Sequence, residues 1–243
     1  MAINADGDMY IMGNTSSVDF PTTVAAYDRT YNNGTDLFLT KVFRDGTRLD
    51  FSTLTGQNGA NFPNDIIVDS FGTSYIVGIS PLGGLTIPGA PNNFSDVFEG
   101  PDQLPFDWFF GDGFVLAFDG SGSNLTWGTY IGGEEGEEIF GAAVDVSNNL
   151  YICGRTNSWT QGNKVVFPTT PDVFRPFMIN DRPPPNAPPK AWSDAFLTKV
   201  NIRVPVVMSQ MLFDPPVQAG TLQVTATINL NGPAPVGGTT ILL

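Results

Sequence analysis

Apolar positions along this chain fall in short runs, partly alternating with polar ones, between clusters of Gly, Asp, Asn and Ser. In DAFLTKV (Asp194–Val200), Ala195, Leu197 and Lys199 point to one side of an extended chain, and Phe196, Thr198 and Val200 to the other. Such a run reads as a strand of a sheet packed on both faces. It recurs as DLFLTKV at Asp36–Val42 and DGFVLAF at Asp112–Phe118. A Tyr-Ile-x-Gly run also occurs three times, anchored on Gly13, Gly78 and Gly154, which stand 65 and 76 residues apart. LDFSTLTG (Leu49–Gly56) and LTWGTYIGG (Leu125–Gly133) form a third motif. FPTT at Phe20 and Phe167 forms a fourth, with a degenerate TIPGAP from Thr86 between them. The order never changes, which marks a tandem array.

Turn chemistry supplies the joints. Arg44-Asp45-Gly46-Thr47 and Asp119-Gly120-Ser121-Gly122 are hairpin signals, and Asp6-Gly7-Asp8 and Ser147-Asn148-Asn149 play the same part before the Tyr-Ile strands. A unit then holds four short strands: a Val-Asp strand, the Tyr-Ile-x-Gly strand, the DxFLTKV strand and the LxxxTxxGG strand. Four antiparallel strands repeated in tandem build a β-propeller blade. The expected fold class is all-β, with about three such blades.

Composition narrows the setting. The 243 residues carry 24 acidic and 11 basic side chains, a net charge of −13 that argues against nucleic acid or anionic membrane as a partner. Only 14% are charged, too few for a disordered acidic tail, while 27 Gly and 20 Pro fit many turns. No His is present, which removes the commonest general base and metal ligand. No apolar run is long enough to cross a bilayer, so no membrane insertion is expected. The single Cys153 aligns with Met12 and Val77, and a small buried hydrophobe is expected there. Sequons at Asn14, Asn33, Asn93 and Asn124 would permit glycosylation in a secreted protein.

DAFLTKV, LTWGTYIGG, the VDxxxNxYIxGRT hairpin and FPTTPDVF together resemble the seven-bladed β-propeller repeats of bacterial secreted proteins, the SBBP family. The likeness spans residues 1–203. It implies propeller-type blades and an extracellular or cell-surface location. Two features depart from it: about three blades are too few to close a ring, and the loops between the second and third strands have unequal lengths of 22, 33 and 39 residues. After Val200 the composition breaks. Val204–Phe213 reads as an extended strand, Thr221–Asn229 as an alternating one with Leu222, Val224, Ala226 and Ile228 on its apolar face, and Thr239–Leu243 as the start of another. LNGPAPVGGTTILL resembles the opening of a bacterial Ig-like domain, so residues 204–243 are expected to be an incomplete Ig-like β domain; a whole sandwich takes about seven strands.

Candidate chemistry is sparse. Glu134, Glu135, Glu137 and Glu138 could gather calcium, the one cofactor considered, although a solvated acidic loop is the favoured reading of them. Asn4-x-Asp6-x-Asp8 begins like a calcium loop but lacks the Gly and the distal Glu, and it aligns with ordinary turns in the other repeats. Asp36, Asp112 and Asp194 recur at strand starts, as Asp69 and Asp145 do before the turns, so they are expected to bond backbone rather than catalyse. No catalytic residue is assigned. The long loops carry the aromatics: Phe94, Phe98, Phe106, Trp108, Phe109 and Phe110 in one, Trp159, Phe174, Phe177 and Trp192 in the other. They serve either as a binding face or as hydrophobic caps on the blades. The resulting expectation is a non-enzymatic secreted or cell-surface structural and binding module, in one version adhesin-like and in the other a subunit of an extracellular filament or surface assembly. Expected partners are other protein chains, copies of this one among them, and carbohydrate. Uncovered terminal faces, with residues 205–243 packing on a neighbour, would drive that assembly. The alternative is a carbohydrate-active propeller enzyme, a glycosidase or lyase, working through paired carboxylates.

Overall fold

The computed structural model describes residues 1–32, 34–56, 61–87, 95, 97–98, 111–133, 135–158, 167–170, 173 and 193–200, together with the backbone of 208–214 and 225–230. These residues are all-β, with no helix. The first sheet holds β1 (Ala2–Ile3), β2 (Met9–Thr15), β3 (Asp36–Val42) and β4 (Leu49–Thr55) in that order. The second holds β5 (Phe62–Val68), β6 (Ser74–Ser80), β7 (Asp112–Phe118) and β8 (Leu125–Ile131). The third holds β9 (Glu137–Val144), β10 (Leu150–Thr156) and β11 (Asp194–Val200), so the four-strand unit expected from the motifs has three strands here among the described residues. All neighbours are antiparallel, and Gly13, Gly78 and Gly154 face Phe38, Phe114 and Phe196 respectively.

The glycine of Tyr-Ile-x-Gly has a steric cause. A Cβ added to Gly78 would press into the Phe62 carbonyl, and one on Gly154 into the Glu138 carbonyl. Both sit beside the irregularity where the first strand of the sheet loses register. In the first sheet β1 is only two residues long, and the atoms nearest a Cβ on Gly13 would be those of the Phe38 ring rather than backbone.

The sheets stack by one rule. Each has a face bearing the tyrosine of its Tyr-Ile pair (Tyr10, Tyr75, Tyr151) and an opposite face bearing the isoleucine (Ile11, Ile76, Ile152), since successive side chains alternate. The tyrosine face of the first sheet, with Tyr10, Leu37, Leu39 and Phe51, packs on the isoleucine face of the second, with Ile66, Ile76, Phe114 and Phe118. The tyrosine face of the second, with Tyr75, Val77, Val115 and Trp127, packs on the isoleucine face of the third, with Ile139, Ile152 and Val200. β6 and β7 are consequently buried along their whole length. β11 alternates instead, its Ala195, Leu197 and Lys199 side being exposed, so the expectation of packing on both faces fails for the last sheet.

The same geometry corrects the expectation for Cys153. It lies on the open tyrosine face of the third sheet and is exposed, whereas the equivalent Val77 is fully covered by the sheet that follows. Sequence alignment transmits the position of a side chain in its strand, not whether another layer lies above it.

Residues 203–243 form a separate unit. Its described part is an antiparallel pair, β12 (Met208–Asp214) and β13 (Thr225–Leu230), in which Met211 faces Ile228 and Phe213 faces Ala226. Both strands overlap the runs expected from the sequence, each ending one residue later: at Asp214, expected in the turn, and at Leu230. The expected strand at Thr239–Leu243 lies outside the described residues.

Candidate functional site

The hairpins before the Tyr-Ile strands are built identically three times. Asn4 Oδ1 accepts the Asp6 and Asp8 amides at 3.1 and 2.8 Å. Asp69 Oδ1 accepts those of Phe71 and Thr73, and Asp145 Oδ1 those of Ser147 and Asn149, all four at 2.9 Å. One residue in each turn, Gly7, Gly72 or Asn148, takes positive φ. The second carboxylate oxygen receives the tyrosine hydroxyl two strand positions away: Tyr75 to Asp69 at 3.0 Å and Tyr151 to Asp145 at 3.1 Å. Burial, and then the Asp69 carboxylate, pushes the Tyr75 phenol well above its usual value. The Asn149 side chain and the loop amides hold Asp145 down at about 2. Asn4 and its neighbours thus form a turn, as the repeat alignment implies. Asp8 is drawn away to Lys41, which it meets at 3.3 Å while Asp50 meets the same ammonium at 2.8 Å.

The acidic run does not converge. Glu137 is fully buried; its Oε1 accepts the Thr156 hydroxyl at 2.6 Å and the Ser158 amide at 3.2 Å, and its Oε2 accepts the Gly133 amide at 2.9 Å. Glu138 faces the other way, paired with Arg155 at 2.9 Å and accepting from Asn64 at 3.1 Å. Glu135 donates its backbone amide to Ser158, and Glu134 lies outside the described residues. Among the described residues no three acidic or Cys side chains stand close enough to hold a metal ion. The calcium grouping is therefore corrected at Glu137 and Glu138, which alternation along β9 sends to opposite faces.

Glu137 does approach a second acid. Asp112 is 1% exposed, and a Cβ placed on Gly132 would fall against both Asp112 Oδ1 and Glu137 Oε2. Burial raises the Glu137 pKa above its ordinary value despite three donors. In the first junction Asn61 occupies the place of Glu137, and Gly56 that of Gly132; Asp36 there is buried too, accepts the Asn32 amide at 3.0 Å, and is raised by burial. The strand-opening acids are thus buried parts of the junction between sheets at Asp36 and Asp112, while Asp194 is half-buried.

The long loops are tied down by a threonine that the third motif repeats. Thr53 Oγ1 accepts the Asp28 amide at 3.0 Å while the Leu54 amide donates to the Asp28 carbonyl at 2.9 Å. On β8, Thr129 Oγ1 accepts the Ser95 amide at 3.1 Å, and the Tyr130 amide donates to the Ser95 carbonyl at 2.9 Å. Each loop therefore closes part of the outer strand edge of its own sheet. The FPTT phenylalanines are equally consistent: Phe20 stacks on Phe38 at 4.7 Å and Phe167 on Phe196 at 4.6 Å, both tilted by 33°. Of the ten loop aromatics singled out from the sequence, Phe98 alone falls among the described residues. It packs edge-on against Tyr130 at 5.8 Å and adjoins the core, which is the capping role. Phe94, Phe106, Trp108, Phe109, Phe110, Trp159, Phe174, Phe177 and Trp192 lie outside them.

A cleft of about 360 Å³ opens beside the first loop, lined by Tyr27, Asp28, Thr30, Asn32, Thr55, Gly56 and Thr86. Asn32 Nδ2 donates to the Gly56 carbonyl at 3.0 Å and to Asp28 Oδ2 at 3.4 Å, holding its rim. Sequence reading passed over this cleft, because its lining comes from the end of β4 and from two loops far apart in the chain. The one available signal was the threonine shared by TLTG and TYIGG, which fixes where each loop returns. The arrangement offers polar groups for a hydroxylated ligand and scaffold chemistry elsewhere. No family model matches the chain, and no curated protein matches it.

Proposed function

We propose that this chain is a non-enzymatic structural and binding module of a secreted or cell-surface protein, its sheets being propeller-type blades of the SBBP kind and its second unit the start of an Ig-like domain. One observation carries the reading: Asn4, Asp69 and Asp145 perform the same backbone-anchoring task in three successive sheets. A catalytic group is needed once, whereas a scaffold needs its turns each time. The pinned loops and the polar cleft at Tyr27, Asp28 and Asn32 supply the binding surface, with other protein chains and carbohydrate as ligand classes. A carbohydrate-active enzyme draws its best support from Asp112 and Glu137, but both carboxylates are closed off from solvent. The test is to offer a panel of soluble polysaccharides and surface proteins to the immobilised chain and to assay reducing ends in parallel. Retention without new reducing ends is the expected result. Release of reducing ends that disappears in Glu137→Gln overturns the reading.

A further inference from the structure

The loop between β2 and β3 sets oxygen-bearing side chains at alternate positions. Asp28, Thr30 and Asn32 are followed by Gly34 and then by Asp36, the first residue of β3. Asn32 stands between the two acids: its amide donates to Asp36 Oδ2 at 3.0 Å, and its Nδ2 reaches Asp28 Oδ2 at 3.4 Å. The same Nδ2 donates to the Gly56 carbonyl at 3.0 Å. Leu37 faces Thr55 across β3 and β4, so the register continued by one residue sets Asp36 opposite Gly56. Asp28, Asn32, Thr55 and Gly56 line the cleft, and Asp36 adjoins that wall through Asn32.

Asp36 is the residue that points to a ligand. It is 1% exposed, yet its Oδ1 receives no hydrogen bond. A bare carboxylate oxygen closed off from water is costly, and buried charges are accordingly paired or coordinate metals. Burial, aided by the charge of nearby Asp28, pushes the Asp36 carboxyl above its ordinary value. Among the described residues no Lys or Arg lines the cleft to answer these two acids. A proton satisfies Asp36 alone, whereas a divalent cation answers both carboxylates and takes the neutral oxygens beside them. Calcium accepts carboxylates, Asn and backbone carbonyls in one shell, with waters completing about six to eight ligands. Such a shell needs only two acids here, so it differs from the three-residue cluster that the described residues lack. We propose that Asp28, Asn32 and Asp36, with the Gly56 carbonyl, form a calcium site in the wall of the cleft. The cation ties the loop to the meeting ends of β3 and β4, whether or not the cleft also retains carbohydrate or protein.

The experiment is calorimetric titration of the full chain with calcium chloride after EDTA treatment and dialysis. Terbium emission excited through tyrosine runs beside it, since Tyr27 lines the same cleft. The wild type is expected to bind calcium with a dissociation constant of about 10⁻⁴–10⁻³ M, the range of extracellular modules. Asp28→Asn keeps an oxygen for the Thr30 amide, and Asp36→Asn one for the Asn32 amide. Each is expected to bind about tenfold more weakly, with terbium emission falling to match, because ligand charge sets the affinity. Should Asp36→Asn lose its β-sheet circular dichroism, the half-buried Asp28→Asn carries the test. Glu138→Gln, in the acidic run, is expected to bind as the wild type does. A wild type that takes up no calcium at about 10 mM overturns the proposal. So does binding that Asp28→Asn leaves unchanged, or that Glu138→Gln abolishes, either of which puts the cation elsewhere. Failure to bind calcium leaves the module reading standing, and a chain that binds calcium but retains nothing in the binding panel sinks that reading alone.

Discussion

Leu39 and Leu197 occupy the same place in two copies of one strand, DLFLTKV and DAFLTKV, yet one is sealed and the other stands in water. The strand, its register with the Tyr-Ile neighbour and the lysine–tyrosine pair beside it are shared; only the layer above differs. In a stacked array the repeat sequence thus determines a sheet, while the position of that sheet in the stack determines what its residues contribute. The sharpest break of this comparison is truncation. Leu39→Ala leaves a cavity between two sheets and should cost about 2–5 kcal/mol, whereas Leu197→Ala on the open face should stay within about 0.5 kcal/mol. Urea unfolding of the two variants at low protein concentration, where copies stay apart, measures both. Equal losses would mean that the third sheet is covered in the monomer.

The next contrast lies in the repeated glycine. Gly154→Ala drives a methyl group into the Glu138 carbonyl, and backbone must move; the expected loss is about 1–3 kcal/mol. Gly13→Ala first meets the Phe38 ring, a side chain rather than backbone, and should cost clearly less. Thermal melts of both variants decide it, and a Gly13→Ala as damaging as Gly154→Ala would show that the short β1 extends further in solution.

Asp69 and Asp145 make a third pair with the same partners in different surroundings. Asp69→Ala strands the buried Tyr75 hydroxyl and two turn amides, at about 1–3 kcal/mol. Asp145→Ala frees groups that water reaches, so its loss should be the smaller of the two. The pH dependence adds a check on sign. Asp145 is held at about 2 in the fold against an ordinary 3.8, so its contribution is present above pH 3.8 and disappears as pH falls through about 2. The stability gap between wild type and Asp145→Ala should therefore close on acidification over that window. A gap that persists at pH 1.5 would show that the carboxylate charge plays no part.

How much of this was legible beforehand follows from the range of each signal. The turn anchors and the strand motifs were readable, because an Asn or Asp three residues before a Gly or Asn, and alternation, act over a handful of residues; FPTT was readable as a repeat, but its stacking was not. The length of β5 and β9 was not: only their Val-Asp ends repeat, and the bulges beside Gly78 and Gly154 break the alternation that would have betrayed the rest. Cys153 misled because its neighbours in sequence are those of Val77 while its neighbour in space is solvent. The acidic run misled in the opposite way. Four glutamates close together in sequence read as a solvated loop with calcium as the alternative, but β9 buries Glu137 in the junction and sends Glu138 to Arg155. The cleft at Asp28 and Asn32 was invisible, since Thr55 reaches it from the end of β4 and Thr86 from the loop after β6.

The smallest expected effect compares the two junctions at their buried polar ends. The first junction buries an acid and an amide, Asp36 and Asn61, at the positions where the second buries two acids, Asp112 and Glu137. Two carboxylates converging on Gly132 in a closed space cannot both ionise cheaply, and burial raises Glu137 above its ordinary 4.5. A carboxyl group raised in the fold contributes stability that is complete below pH 4.5 and is lost as pH climbs through the raised value. Glu137→Gln restores the acid and amide composition of the first junction. Its amide keeps an oxygen for Thr156 and Ser158 and turns its NH₂ toward Asp112, at the cost of the bond from the Gly133 amide. The variant should melt a few degrees above the wild type at pH 8, and the advantage should vanish by pH 4, where Glu137 is protonated in both folded and unfolded chains. Melting curves at several pH values between these limits trace the crossover. An advantage that is the same at pH 4 and pH 8 would mean that Glu137 ionises in the fold without penalty, and that the second junction tolerates its two charges as readily as the first tolerates one.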